Sequence, residues 1–227
     1  MPLLVYCITE TSASVEVPTT GVNGLTVEAV KHGELQCFVS RSTADISISG
    51  LQLRNAALTF HGVLEKIFEQ TAIIPFRFPT VLPREPELIA YMAEHSVEYR
   101  AALTRLRDVV QMEIKLQFKD SRLLPSLAEP SSSRATDMKP SGREYLQKIR
   151  ARQEKLEVAA KDLRQACLFF TKGWRQRDSN EGIRCFALVE RASVVKFQTQ
   201  IRTVTLEDDL DARLSGPWPA SQFLKEE

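Results

Sequence analysis

"VVQMEIKLQF" (residues 109–118) is the stretch on which the reading of the fold turns. Val110, Met112, Ile114, Leu116 and Phe118 alternate with Gln111, Glu113, Lys115 and Gln117. A strict period of two belongs to a strand with one buried face and one wet face. The residues C-terminal to this strand set a topology. Ser141 and Glu144 form an S-x-x-E capping box ahead of a helix expected to run to about residue 164, with Leu146, Ile149, Leu156, Ala160 and Leu163 as its buried stripe. "CLFFTKGW" and "GIRCFALV" flank the polar turn "RQRDSNE", which predicts a hairpin. The second of these strands is apolar on both faces and is therefore expected at the centre of a sheet. Ser193 is placed to cap a short helix with Val194, Phe197, Ile201 and Val204 inward, and Leu210, Ala212 and Leu214 alternate as a last strand. The order strand, helix, strand, strand, helix, strand is that of a split-βαβ, ferredoxin-like domain.

Upstream, "LLVYCI" (residues 3–8) reads as a buried strand and "TSASVEVPTTGVNG" as an irregular polar edge. "LTVEAV", "KHG" and "ELQCFVS" have the form of a hairpin, with Gly33 free to take a positive φ. A helix is expected from the stripe Leu53, Ala56, Ala57, Phe60, Val63, Leu64, Ile67 and Phe68. "AIIPFRF" (72–78) reads as a strand in which Pro75 indicates an edge or an irregularity. Pro86 suits the first turn of a second helix bearing Leu88, Met92, His95, Tyr99, Ala102 and Leu106. The fold class is therefore α+β with two domains, residues 1–108 and 109–227, the second with the ferredoxin-like βαββαβ order. Residues 41–50 read as a loop. The Ser- and Pro-rich segment 121–140 reads as a mobile one.

The 227 residues are 43% hydrophobic and carry a formal net charge of +1, so no global field points to nucleic acid. The start has no signal-peptide form and no stretch approaches the length of a membrane span. Cys7, Cys37, Cys167 and Cys185 are widely spaced in apolar runs, without CxxC, and read as buried thiols in a reducing compartment. Phosphate-binding glycine loops and a nucleophile elbow are absent. His32, His61 and His95 are far apart, and His61 and His95 read as core-margin residues rather than ligands or bases. Glu207, Asp208, Asp209 and Asp211 read as a solvated acidic loop rather than an acid–base pair. No enzyme activity and no cofactor is expected. Residues 143–177 hold ten Lys or Arg against four acids, a local net of +6, but the interleaved acids and the absence of an RNA-recognition pattern argue against nucleic acid.

One further stretch, "LSGPWPASQF" (214–223), carries a resemblance. A strand ending L-[ST]-G-P-W-P, followed by an aromatic residue, resembles the C-terminus of the gas vesicle protein F/L family. Other segments agree in order: "LLVYCI", "HGVLEKIFEQTAIIPFRFPTV", "MEIKL", "SGREYLQKIRARQ" and "FALVER". There are two departures. Pro79 stands where the family usually has Gly, and Ala220-Ser221-Gln222 stands in place of Pro-Tyr-Ser. The resemblance implies two α+β domains, the second a modified ferredoxin-like fold, and a non-catalytic accessory protein. Its expected place is the gas vesicle, within the cytoplasm, and its expected partners are the very hydrophobic major shell protein and other accessory proteins, with no membrane. The alternative function is a ligand- or RNA-binding regulatory module on ferredoxin-like domains.

An assembly partner needs a surface. The candidates are "AIIPFRF", with Phe76 and Phe78 expected on one side and Arg77 on the other, and the tail residues Gly216, Pro217, Trp218, Pro219 and Phe223. For the phenylalanines the competing reading is core. For Trp218 it is burial in its own domain, taken to be the second. Pro217 and Pro219 restrict the tail, and Gly216 is expected to let the chain turn out of its strand.

Overall fold

A computed structural model describes residues 1–42, 51–119 and 142–225. The expected loop 121–140, the capping residue Ser141 and most of the 41–50 segment lie outside the described residues. The chain forms an α+β protein with two sheets. It divides into two compact units, one of residues 1–110 with 218–227, the other of residues 111–217. The tail beyond Pro217 thus packs in the first unit, not in the second as its sequence position suggested.

The first sheet is built around β1 (Leu3–Glu10), with β2 (Val27–His32) and β3 (Leu35–Arg41) on one side in the order β2-β3-β1. Gly33, at the β2–β3 turn, has φ +56°. On the other side of β1 the expected strand 72–78 is reduced to two short pieces, β4 (Ile74–Pro75) and β5 (Val81–Leu82). Both run antiparallel to β1, pairing Ile74 with Ile8 and Leu82 with Leu3. Between them, Phe76 N–H donates to Tyr6 O at 2.9 Å and Val5 N–H to Thr80 O at 3.0 Å. Residues 74–82 therefore lie along β1 as one interrupted edge strand, consistent with a proline at its start.

Leu3 to Ile8 are fully buried, as expected of a strand covered on both faces. Val5 pairs with Val39 but Cys7 with Phe38, so Tyr6 is an extra residue in β1. That bulge changes the parity of the strand. Leu3, Val5 and Ile8 consequently share one face with Leu35, Cys37 and Val39. Leu88 and Met92 of α2 (Glu85–Glu94) and Ala102 and Leu103 of α3 (Ser96–Arg105) pack on this face. Tyr6 goes to the opposite face, stacked on Phe60 of α1 (Leu51–Phe68) at 5.0 Å. The Tyr6 hydroxyl lies 3.0 Å from Ser40 Oγ and accepts Val22 N–H at 3.0 Å. An added Cβ at Gly21 would lie 2.3 Å from that hydroxyl, so the position has room only for glycine.

In α1 the stripe Ala56, Phe60, Val63, Ile67 and Phe68 is buried as expected, whereas Leu53 is 42% exposed. The second predicted helix is two helices, α2 and α3, broken at His95 (φ −98°, ψ 7°).

The second sheet has the order β7-β8-β6-β9, with β6 Val109–Phe118, β7 Thr171–Ser179, β8 Gly182–Glu190 and β9 Leu210–Trp218. In β6, Met112, Ile114 and Leu116 are fully buried, and the alternate residues form a polar face where Arg184 meets Glu113 at 2.7 Å. Among the described residues, α4 (Gly142–Ala166) buries Leu156, Ala159, Ala160 and Leu163, and α5 (Val194–Thr203) buries Phe197 and Ile201. Leu146 and Ile149 were expected in this stripe, but they are exposed. β8 is central, and Ile183, Cys185, Ala187 and Val189 are fully buried.

Three local expectations change. "CLFF" is not strand: Cys167 ends the helix, Leu168–Phe170 make a 3-10 turn, and the strand begins at Thr171. The polar run 175–181 is mostly strand, leaving a tight turn before Gly182, whose φ is +149°. Ser193 makes no side-chain cap bond. All four cysteines are free and buried. Burial pushes the Cys167 thiol up to about 11 and the Cys185 thiol up to about 12.

Candidate protein-contact surface

Two of the expected contact segments meet α1 at successive residues. Phe60 points into the sheet and carries the ring of Phe78 at 5.1 Å. His61 points outward, and its ring lies 5.7 Å from that of Trp218, tilted by 51°. Consecutive helical residues differ in direction by about 100°, so one helix serves the core with Phe60 and the tail with His61. Leu58, one turn before His61, is 62% exposed.

Phe76 and Phe78 do not share a side. Phe76 packs against Tyr91 of α2 at 5.8 Å, while Phe78 packs against Phe60 of α1. The cause is the interruption between β4 and β5, which breaks simple alternation. Both rings are half-buried, and Arg77 between them is exposed. Its carbonyl accepts the Thr80 hydroxyl at 2.6 Å, closing the turn.

The tail is held by contacts that the sequence does not announce. β9 continues through Gly216 (φ +114°) and Pro217 to Trp218, past Gly216, where the chain was expected to turn out of its strand. Trp218 and Pro219 are half-buried, and Pro217 is exposed. Ala220 and Phe223 are buried in a short 3-10 turn, where Phe223 N–H donates to Ala220 O at 2.9 Å. Arg105 of α3 donates from Nη2 to the carbonyls of Phe223 at 2.8 Å and Leu224 at 3.0 Å. Leu224 in turn packs on the core face lined by α2 and α3. Nothing in the local sequence around Arg105 signals this role, because its partners are backbone carbonyls more than a hundred residues away.

The histidines stand apart. His32 ends β2, His61 faces the tail, and His95 sits between Tyr91 and Tyr99 with Nδ1 2.9 Å from Tyr91 O. The two tyrosine hydroxyls meet at 2.5 Å. Burial, and then that bond to Tyr91, raise the Tyr99 hydroxyl well above its ordinary value. The i, i+4, i+8 spacing of Tyr91, His95 and Tyr99 is the sequence signal for this aromatic column. Among the described residues no group of His, Cys, Asp and Glu is placed to hold a metal, and no helix is long and apolar enough to cross a membrane.

An open cleft of about 420 Å³ is lined by Glu10, Thr11, Ser12, Glu34, Arg100, Thr104 and Arg107. Its charges are satisfied internally: Arg107 pairs with Glu10 at 2.7 Å, Thr104 donates to Glu10 at 3.1 Å, and Arg100 pairs with Glu34. The basic segment is compensated in part. Lys155 pairs with Glu207 at 2.6 Å and Asp209 at 3.3 Å, and Lys172 with Glu190 at 2.8 Å. The expected acidic loop is therefore in part a counter-charge for α4.

A search of curated proteins gave no match. Among solved structures, the gas vesicle protein GvpF from Anabaena sp. PCC7120 is similar in fold at a TM-score of 0.77 and 14% identity, covering 100% of this chain and 97% of that one. GvpF from Microcystis aeruginosa is similar at a TM-score of 0.74 and 12% identity, covering 99% of both chains. The model of the gas vesicle synthesis protein GvpL/GvpF family matches residues 2–225. With that match spanning nearly the whole sequence, the chain belongs to the gas vesicle synthesis protein GvpL/GvpF family.

Proposed function

We propose that this chain is a non-enzymatic assembly protein that binds the major shell protein of the gas vesicle during its formation. The observation that carries the reading is the outer side of α1, where exposed Leu58 precedes His61 and the half-buried Trp218. An aromatic side chain held part-way out of the core against His61, one helical turn from an exposed leucine, suits an apolar partner. Pro217 and Pro219 limit the freedom lost when the tail is covered. Phe78 and Arg77 extend the candidate surface from the edge strand. Phe76 belongs to the opposite face of the sheet and contributes to folding instead. The vesicle, within the cytoplasm, is the proposed location, and other accessory proteins are proposed as further partners.

A non-catalytic role is supported by the cleft beside Glu10, where each carboxylate already has a cationic partner and no acid or base is left poised. For the second unit we favour the modified ferredoxin-like reading, with a domain boundary near residue 108. Its supports are the element order from β6 to β9 and the sheet order β7-β8-β6-β9.

The test is co-expression of the full chain with the major shell protein, then co-purification. The chain should retain the shell protein, and the paired substitution Leu58→Ser with Trp218→Ser should lose most of it while leaving the protein folded. Retention by the variant at wild-type level would place the contact elsewhere. Failure of the wild type to bind, with vesicles forming normally without it, would sink the reading.

A further inference from the structure

We propose that the second unit carries a separate docking surface, centred on Phe169, for an acidic peptide segment with apolar anchors. Thr171 pairs with Val189 in the β7–β8 ladder. The turn entering β7 (Leu168–Phe170) and the turn leaving β8 (Arg191–Ser193) therefore lie at the same end of the sheet, and α5 starts there with Val195 in its first turn. Three apolar side chains at this end are open to solvent: Leu168 at 50%, Val195 at 72% and Phe169 at 94%.

Phe169 is not on a loose loop. Cys167, two residues earlier, is fully buried, and its carbonyl accepts both Phe170 N–H and the Thr171 hydroxyl at 2.9 Å. The ring is thus presented on a fixed turn, and a partner that covers it orders little new backbone. A phenylalanine almost wholly exposed on an ordered turn contributes nothing to the core. A rigid aromatic anchor is the type of side chain on which binding energy concentrates.

The surrounding charge selects the partner. Residues 163–173 and 189–197 hold four cations, Arg164, Lys172, Arg191 and Lys196, against one anion, Glu190, a formal net of +3. That one anion is already engaged by Lys172 at 2.8 Å. Arg164 stands one turn before Leu168, and Lys196 adjoins Val195. A segment with apolar side chains flanked by carboxylates matches this pattern. A lipid surface is a poorer fit, because one ring and a small positive charge fall short of the two strong signals that stable anchoring needs. This inference concerns different residues from those proposed for the shell protein and does not depend on that reading.

The experiment uses the full chain and fluorescence anisotropy with two labelled peptides: an amphipathic peptide of glutamate and leucine, and its lysine–leucine counterpart. The glutamate peptide should bind, more weakly as salt is raised. Affinity should fall roughly tenfold or more for Phe169→Ser, and also for Arg164→Glu with Lys196→Glu. Thermal unfolding of Phe169→Ser should match the wild type, since the ring is not buried, and its co-purification with the shell protein should be unchanged. Equal binding of both peptides, or no effect of Phe169→Ser, overturns the proposal. So does binding to vesicles of phosphatidylcholine and phosphatidylserine in preference to the peptide, or self-association of the chain that Phe169→Ser abolishes.

Discussion

The indole of Trp218 lies 5.7 Å from the imidazole of His61, at an angle of 51° between the ring planes. The tail thereby meets α1 on its outer side, while Phe60, the preceding residue, is buried on the inner side against Tyr6 and the half-buried Phe78. Because Trp218 is only half-buried, Trp218→Ala should cost less than the roughly 3–5 kcal/mol of a fully buried tryptophan. About 1–2 kcal/mol is expected, read from chemical unfolding. Shell-protein binding should fall in the same variant. A stability loss with unchanged binding would make the tail a clamp and nothing more.

Arg105 offers a sharper test of how the tail is held. Its Nη2 donates to two tail carbonyls, at 2.8 and 3.0 Å. Arg105→Ala should leave both without that donor and cost on the order of 1 kcal/mol, since the site is partly open to water. The larger effect should be local. Hydrogen exchange at Phe223 and Leu224 should speed up markedly, with little change at Val5 or Ile8, which lie deep in the sheet. Uniform protection across the chain in that variant would argue that buried Phe223 alone fixes the tail.

The thiols give a prediction about pH. Burial raises Cys167 from 9.0 to about 11 and Cys185 to about 12. The folded state therefore favours the protonated thiols. Their contribution is fully present below the unfolded value near 9.0 and declines as pH rises from there towards about 11 for Cys167 and about 12 for Cys185. At pH 8 an alkylating reagent should leave all four buried cysteines unmodified in the folded protein and label all four in denaturant. Rapid labelling of native Cys167 would show that the turn carrying Phe169 opens.

Much of this architecture was legible in the sequence where a single periodicity governs an element. The alternation in β6, the stripe of α1 and the β2–β3 turn at Gly33 all have local causes. The misreadings have long-range causes. Phe76 and Phe78 were expected on one side because a strand was expected through 72–78, but that strand is interrupted between Pro75 and Val81. Leu146 and Ile149 fit a helical stripe by spacing, yet they remain exposed. The tail was assigned to the second domain by proximity along the chain, whereas its anchors, His61 and Arg105, come from α1 and α3. Spacing reports which residues share a face, not which element that face meets.

Gly21 provides the last prediction, and it tests the core on which α1 rests. A Cβ at this position would lie 2.3 Å from the Tyr6 hydroxyl, 2.8 Å from Val27 Cγ2 and 2.9 Å from Ser40 Oγ. Tyr6 is fully buried and stacked on Phe60, so it has little room to withdraw. Gly21→Ala should therefore destabilise by roughly 1–3 kcal/mol, the usual range for overpacking. Gly33→Ala makes the contrast. That position has open space around it but a φ of +56°, so only backbone strain of about 1–2 kcal/mol is expected. The two costs have different remedies. Adding Tyr6→Phe to Gly21→Ala removes the nearest clashing atom, although it also deprives Val22 N–H of its acceptor. Part of the lost stability should return in that background, while Tyr6→Phe in the Gly33→Ala background should only add its own penalty. Thermal unfolding of the two glycine variants, Tyr6→Phe alone and the two double variants decides the matter. Additive losses in both pairs would mean that Gly21 is required for its backbone and not for the space beside Tyr6.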